Sequence, residues 1–562
     1  MKLRKAGIFV VMALLLSVLP VSAWASGDSV ALAEIPETTQ GGTVIFTGTT
    51  TMTEVNIKVL RPNGSVLYFN IVPSAGGTFS DTIIVGNVEP TGTYQVAAGQ
   101  GTDVDIVTFE VKAADPGGRD PGGGDPGSGN PGGENGNETS QPGTVTGQPA
   151  GTAVVHVNGQ AVQAGTAVTE TVGGRMQTTV VLDAAVIEQQ LAVEGEGEVI
   201  SIAVNTGADV LVGELNVQMV QSMQPRKAVL EIRTENAAYR LPAELIDIEA
   251  LSNQFGTDVS LGEIKFRLEI ARPTSETVQV VENAVAEGGF SLVVPPLEFT
   301  VRSTYGDKVM EITDFTSFVE RMIAIPEGVD PSRITTAIVV EKDGSVRHVP
   351  TQVIEVDGQY FAKVNSLTNS TYSVVWNPVS FVDMEGHWSK DVVNDMGSRM
   401  IVGGGDGLFH PEREITRAEF AAIVVRGLGL RTGGGQLPFS DVQMSDWYHG
   451  VIAAAYQYEL INGYADGTFR PNDTITREQA MAIIARAMQV TELQAESVPT
   501  NPLRSFLDAG DVSDWAVDVI AETLQAGIVT GRTTSELAPK ASVTRAEVAV
   551  MVQRLLKRSD LI

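Results

Sequence analysis

The sequence predicts a multidomain chain: a β-sandwich-like N-terminal domain, a β-rich middle region and a helical C-terminal region. Three observations carry that prediction. Short apolar runs of strand length, separated by turn residues, fill residues 28–112 and 149–378. A segment almost free of apolar side chains, residues 113–148, divides them. Near the C-terminus, ITRAE from Ile415, ITREQ from Ile475 and VTRAE from Val543 each open an apolar stripe at helical spacing.

Residues 1–25 read as an export signal. Lys2, Arg4 and Lys5 make the positive start, Ile8 to Leu19 the apolar run, and Ala23-Trp24-Ala25 the small-residue cleavage pattern. That run is shorter than the roughly 20 residues a bilayer span needs. In residues 28–112, strands are expected at Thr43–Phe46, Val55–Leu60, Val66–Ile71, Thr82–Val85, Tyr94–Ala97 and Asp105–Val111, with turns at Pro62-Asn63-Gly64 and Gly76-Gly77. Gly92, Tyr94 and Val96 resemble the late strand of bacterial Ig-like domains. The linker repeats Asp-Pro-Gly at Asp115, Asp120 and Asp125 and Asn-Pro-Gly at Asn130, with nothing to bury, so it is expected to stay disordered.

The middle region, one domain or two, alternates strictly at Ile264–Ile270, as a half-buried strand does. Further strands are expected at Val229–Arg233, Phe290–Val294, Ala337–Val340 and Ser373–Trp376, with helical pieces near Asp183–Leu191 and Ala243–Leu251.

Residues 379–432, 437–492 and 503–562 are one unit written three times. Thr416/Glu419, Thr476/Gln479 and Thr544/Glu547 fit the capping box, in which two side chains satisfy each other's backbone donors. The apolar stripes are Phe420, Ile423, Val424, Leu428; Ala480, Ile483, Ile484, Met488; and Val548, Met551, Val552, Leu556. Six residues before each Arg stands Pro411, Pro471 or Pro539. Farther upstream come the turns from Gly403, Gly463 and Gly531, a tryptophan (Trp388, Trp447, Trp515), and Phe-x-Asp at Phe381/Asp383, Phe439/Asp441 and Phe506/Asp508. The arginine is the odd residue. A cation in a helix's first turn opposes the dipole, so its threefold use implies something negative nearby.

These residues resemble the S-layer homology family, over roughly residues 379–562. The third repeat departs from the pattern, with GRTTSEL for the Asp-Gly turn and Leu537 for Phe. The resemblance implies a pseudo-trimer of repeats around a three-helix-bundle core. Its grooves would receive a pyruvylated secondary cell wall polysaccharide, an acidic ligand. By resemblance the ligand-binding positions are Asp383, Trp388, Gly403 and Arg417; Asp441, Trp447, Gly463 and Arg477; and Asp508, Trp515, Gly531 and Arg545. The tryptophan would offer a platform for sugar, the glycines close approach of backbone N–H, and the helix N-termini a welcome for an anion.

Composition narrows the rest. A net charge of −30 argues against nucleic acid, which needs a basic footprint. Residues 379–562 hold 16 basic against 24 acidic side chains, a net of −8, so any anion must be held locally. With no cysteine, disulfides, thiolate metal sites and cysteine nucleophiles are excluded. The five histidines, His156, His348, His387, His410 and His449, show no zinc spacing, and no nucleophile elbow or phosphate-binding loop occurs. No catalytic residue, metal or cofactor is expected. The reading is a secreted surface-layer or surface-layer-associated protein on a Gram-positive-type wall, displaying β domains outward and able to self-associate. A wall-anchored polysaccharide hydrolase and an adhesin are the alternatives. The end of the sequence, Arg554 to Ile562, carries no sorting motif, so attachment is expected to be non-covalent.

Overall fold

Alternation of apolar and polar side chains builds the N-terminal domain. Along Thr43–Thr50, Val44 and Phe46 are buried while Thr43, Ile45 and Thr47 face out. In the computed structural model, residues 30–113 and 151–562 are described, except 53, 63–65, 75, 86–88, 101–102, 192–195, 257, 342 and 496–500. The expected signal, residues 1–25, and the expected linker beyond its first residue lie outside them.

Two sheets face each other across this domain. One orders Val30–Leu32, Thr43–Thr50 and Thr78–Ile84; the other orders Thr38–Thr39, Asp103–Lys112, Gly92–Gln100, Glu54–Leu60 and Val66–Pro73. Phe46, Ile57, Val59, Tyr94, Val96 and Phe109 fill the space between. The Tyr94 hydroxyl donates to Pro90 O at 2.7 Å, the corner bond of Ig-like sandwiches. Burial and the neighbouring Glu89 push its phenol up to about 12.

The middle region is a 16-stranded sheet whose order begins with Val346–Val349 and ends with Thr351–Val356. Those strands flank Pro350, so one residue joins the two ends of the path. Most pairings are antiparallel, but Gln177–Val181 with Val210–Glu214 and Val199–Ala203 with Val229–Arg233 run parallel. The expected helix near Ala243 divides into a turn, Ala243–Leu245, and a helix, Ile248–Phe255, because Asp247 accepts from Ala250 N and starts a new helix. Two helices were not expected: Val217–Met223, capped by Asn216, and Ser275–Gly288, capped by Thr274. The first is only seven residues long, and the second buries only Val281 and Ala284, so neither shows a long apolar stripe in the sequence.

Arg321 lies wholly inside the middle core. Its guanidinium sits 4.7 Å from the Tyr239 ring centre and 4.9 Å from that of Tyr372, and it donates to Val319 O, Thr368 O and Asn369 Oδ1. Rings and carbonyl oxygens, not a carboxylate, therefore neutralise this buried cation.

In the C-terminal region the three capped helices form as expected. With the helices that precede them they are α1 (Lys390–Ser398), α2 (Arg417–Gly427), α3 (His449–Gln457), α4 (Arg477–Val490), α5 (Val517–Gln525) and α6 (Arg545–Arg558). Helices α2, α4 and α6 touch one another and bury their apolar stripes in one core. The outer helices follow a cyclic rule: α3 packs on α2, α5 on α4, and α1 on α6. At the centre, Ile415 N donates to Val543 O, Val543 N to Ile475 O, and Ile475 N to Ile415 O, each at 3.1 Å. Three backbone bonds thus close a ring between the repeats. This bundle docks on the middle sheet, with Asp560 on Lys363 and Gln352 at 2.7 and 2.8 Å and Arg399 Nη1 on Thr351 O at 3.1 Å.

Replacing Arg321 by Ala leaves a cavity and several unpaired carbonyl groups. A loss of about 3 kcal/mol or more is expected in chemical denaturation. A change under about 0.5 kcal/mol would show that the cage does not hold the core.

Candidate functional site

Each repeat's capped helix hands its first turn to the next repeat. All three capping boxes are closed. Beyond them, Arg417 N and Ala418 N donate to Asp473 O and Pro471 O; Arg477 N and Glu478 N to Ala541 O and Pro539 O; Arg545 N and Ala546 N to Arg413 O and Pro411 O, all between 2.9 and 3.1 Å. The first-turn N–H groups are therefore consumed. Helix ends that the sequence reading offered to an anion are occupied by backbone carbonyl oxygens, which is a correction: their role is to join repeats.

The Phe-x-Asp carboxylates clasp the loop that each helix grips. Asp383 accepts from Phe409 N and His410 N at 2.8 and 2.6 Å, Asp441 from Phe469 N and Arg470 N at 2.8 and 2.7 Å, and Asp508 from Leu537 N and Ala538 N at 2.8 and 2.7 Å. The second residue of each pair holds a positive φ, 59° at His410, 58° at Arg470 and 57° at Ala538. That strained conformation, uncommon for a side chain with a Cβ, is fixed by the clasp. Burial pushes the Asp383 and Asp508 carboxyls up, but the paired N–H groups outweigh it and leave both below the ordinary value.

The glycines serve packing. A Cβ on Gly463 or Gly531 would come within 2.4 Å of the Phe439 or Phe506 ring. In the first repeat the same place is held by Gly404, whose Cβ would meet Phe381 at 2.8 Å, and not by Gly403. The sequence register at Gly403 is thus off by one, because the first repeat's turn is a residue shorter than that of the second. Gly403 aligns instead with Thr530, and both present their carbonyl oxygen to an arginine. Phe381 and Phe439 are buried.

The three arginines differ. All donate through Nε to the equivalent carbonyl of the next repeat, Phe469, Leu537 and Phe409, at 2.9 Å. Arg477 is 2% exposed and has every nitrogen engaged: Nη1 donates to Glu547 at 3.0 Å and Nη2 to Thr530 O at 3.1 Å. Arg545 is half-buried and adds only Nη2 to Gly403 O at 2.6 Å. Arg417 is 6% exposed, yet no terminal nitrogen of it has a hydrogen-bond partner among the described residues. Aromatic rings flank it, Phe469 at 4.7 Å and Tyr464 at 4.9 Å, and Arg470 lies over the same tyrosine at 4.1 Å. Burial draws the Arg417 pKa below its ordinary value.

The tryptophans are outside. Trp388, Trp447 and Trp515 are 65%, 61% and 57% exposed, at equivalent places before α1, α3 and α5. Their loops are tied down nearby: His387, beside Trp388, bonds Glu412 of its own repeat at 2.9 Å, and Ser513, two residues before Trp515, bonds Glu478 of the preceding repeat at 3.0 Å. Tyr464, Gln479, Glu478 and Glu547 were missed as groove residues. The one signal in the sequence is that the residues two and three after the capping threonine vary between repeats.

The S-layer homology domain family matches residues 380–421, 438–481 and 505–549. The chain is 38% identical over 197 residues to an exoglucanase, XynX, of Acetivibrio thermocellus, a match covering 34% of this chain and 18% of that protein. It is 38% identical over 198 residues to an amylopullulanase of Thermoanaerobacterium thermosulfurigenes, covering 35% and 10%. To the surface-layer 125 kDa protein of Lysinibacillus sphaericus it is 30% identical over 183 residues, covering 32% and 15%. The matches therefore span under a fifth of these relatives' length.

The lowered carboxyls set a pH dependence. Their folded pKa lies below the unfolded value, so their contribution is present above about pH 4 and lost as pH falls through the folded range. Thermal unfolding of the bundle should hold steady near neutrality and fall sharply below about pH 4. Asp383→Asn should cost about 1–3 kcal/mol at neutral pH and flatten that fall. Wild-type stability in the Asp383→Asn variant would remove the clasp from the account.

Proposed function

We propose that this chain, whose C-terminal third is three S-layer homology domains, is a cell-surface protein held non-covalently on the wall by a pyruvylated secondary cell wall polysaccharide. One observation supports the reading most: Arg417 presents unpaired guanidinium N–H groups in a nearly buried, ring-lined groove. The terminal nitrogens of Arg417 are not among the sealed, unpaired atoms, so they open to water, and a carboxylate on a sugar replaces that water with charged hydrogen bonds beside the rings. The exposed Trp447, just before the helix α3 that packs on α2, gives the sugar ring an apolar platform.

Of the ligand-binding positions, Arg417, Arg545 and the tryptophans are the ones that touch polymer, while Arg477 is engaged within the bundle. Asp383, Asp441 and Asp508 act by holding the loops, and the glycines by letting the phenylalanine rings close. With the bundle docked on the middle sheet, the polymer fixes the β regions to the envelope and leaves the N-terminal sandwich for display or self-association. In this reading the protein is not an enzyme. The hydrolase alternative draws on the exoglucanase and amylopullulanase relatives, matched over about a third of this chain. Release of reducing ends from glucan or xylan by the full chain would favour it.

Arg417→Ala should weaken pull-down by purified walls at least about tenfold, the loss of a charged hydrogen bond, and lower the melting temperature less than Arg477→Ala, since only its Nε bond to Phe469 O joins the repeats. Arg477→Ala should lower the melting temperature more and change wall binding little, since it leaves the Leu537 and Thr530 carbonyl groups unpaired inside the bundle. Full wall binding by the Arg417→Ala, Arg477→Ala double variant would overturn the assignment.

A further inference from the structure

We infer that the residue three places after each capping threonine decides which groove admits an acidic ligand: Gln479 opens the groove of Arg417, and Glu547 fills that of Arg477 from within. The inference rests on the reading above that the ligand is an acidic sugar, and names what selects its site.

The cyclic packing sets each arginine beside the capping-box residue of the next repeat. Arg477 meets Glu547, Arg545 faces Glu419, and Arg417 shares the Tyr464 ring with Gln479. Glu547 binds Arg477 Nη1 at 3.0 Å and also takes Arg532 Nε at 3.1 Å, while its other oxygen holds Thr544 N at 2.9 Å. This carboxylate occupies the arginine as a ligand's carboxylate would.

Glu419 has its oxygens on Arg413, at 2.6 and 3.2 Å, and on Thr416 N at 3.0 Å. It attracts Arg545 electrostatically without a hydrogen bond to it. Gln479 carries no charge. Its Oε1 closes the capping box on Thr476 N at 3.3 Å, and its Nε2 reaches the Tyr464 hydroxyl at 3.4 Å, so a donor stands where the other two repeats have a carboxylate.

Capping does not require this difference. Glutamine and glutamate close equally complete boxes in this chain, and the two side chains have nearly the same shape. What changes is the charge beside the arginine, where a second carboxylate competes with or repels an incoming one.

The adjoining position acts in the same direction. The first and third repeats have Ala418 and Ala546 there, but the second has Glu478, which is buried and takes Ser513 N, Ser513 Oγ and Lys540 Nζ at 3.0, 3.1 and 2.6 Å. The groove of Arg477 therefore contains two carboxylates of its own. The order of ligand affinity is Arg417 first, Arg545 second and Arg477 last.

The test is calorimetric titration of the full chain with a pyruvate-ketal methyl hexoside and, separately, with its uncharged methyl ester. Gln479→Glu should weaken the strongest acid site at least about tenfold while leaving the melting temperature unchanged, because the box stays closed. Gln479→Ala, which breaks the box but adds no charge, should lower the melting temperature and weaken the site less than Gln479→Glu does. Glu547→Gln with Glu478→Ala should add one acid site per chain. The ester should bind weakly to every variant. Wild-type binding with an unaffected Gln479→Glu variant, or loss of binding in Gln479→Ala alone, overturns this inference and leaves the proposed function standing. Absence of any acid-selective binding by the wild-type chain overturns the proposed function itself.

Discussion

Three hydrogen bonds, each from the isoleucine or valine before a capping threonine to its counterpart in another repeat, hold the C-terminal bundle in register. They form a closed cycle, so no repeat has a free edge at the centre. Every other feature of the grooves follows from that cycle. Once Ile415, Ile475 and Val543 are locked, the first turn of each helix faces the loop of its neighbour, and its two leading N–H groups have carbonyl oxygens to meet. Those donors would otherwise be orphans in a buried place, at a cost of about 1–3 kcal/mol each. Joining repeats and capping helices are therefore the same set of bonds.

The arginine at the start of each helix acquires its meaning in that geometry. Against its own helix dipole it is misplaced, but its Nε reaches the carbonyl left over from the next repeat's loop. The aspartate clasp makes that carbonyl available by holding the following residue in a left-handed conformation. What remains of the guanidinium is then free to vary, and it does: fully engaged at Arg477, partly at Arg545, almost unpaired at Arg417. A pseudo-symmetric scaffold has kept the structural half of each arginine and diversified the other half.

The exposed tryptophans fit the same division of labour. In each repeat the phenylalanine of Phe-x-Asp packs on the loop glycine, so the tryptophan is not needed in the core and stands in water. An exposed aromatic side chain forgoes burial that this core offers nearby, and its recurrence at one place in three repeats sets it apart from scattered surface residues. The middle region makes the opposite choice with Arg321, where a cation is sealed from solvent by rings and carbonyl oxygens.

The amino-acid order alone determined the repeats, the capped helices and their buried stripes, the N-terminal β domain and most strands of the middle region, because these depend on spacing within one segment. It also marked the recurrent aspartate, tryptophan and arginine positions. It misplaced Gly403, since a one-residue shortening of a loop does not show until the phenylalanine ring identifies Gly404 as the residue beneath it. Only the tertiary structure decided what each of those positions does. Whether a helix end is open or filled, and whether an arginine is paired, depends on atoms some 50 to 140 residues away, and the cyclic packing that brings them together is written in no single repeat.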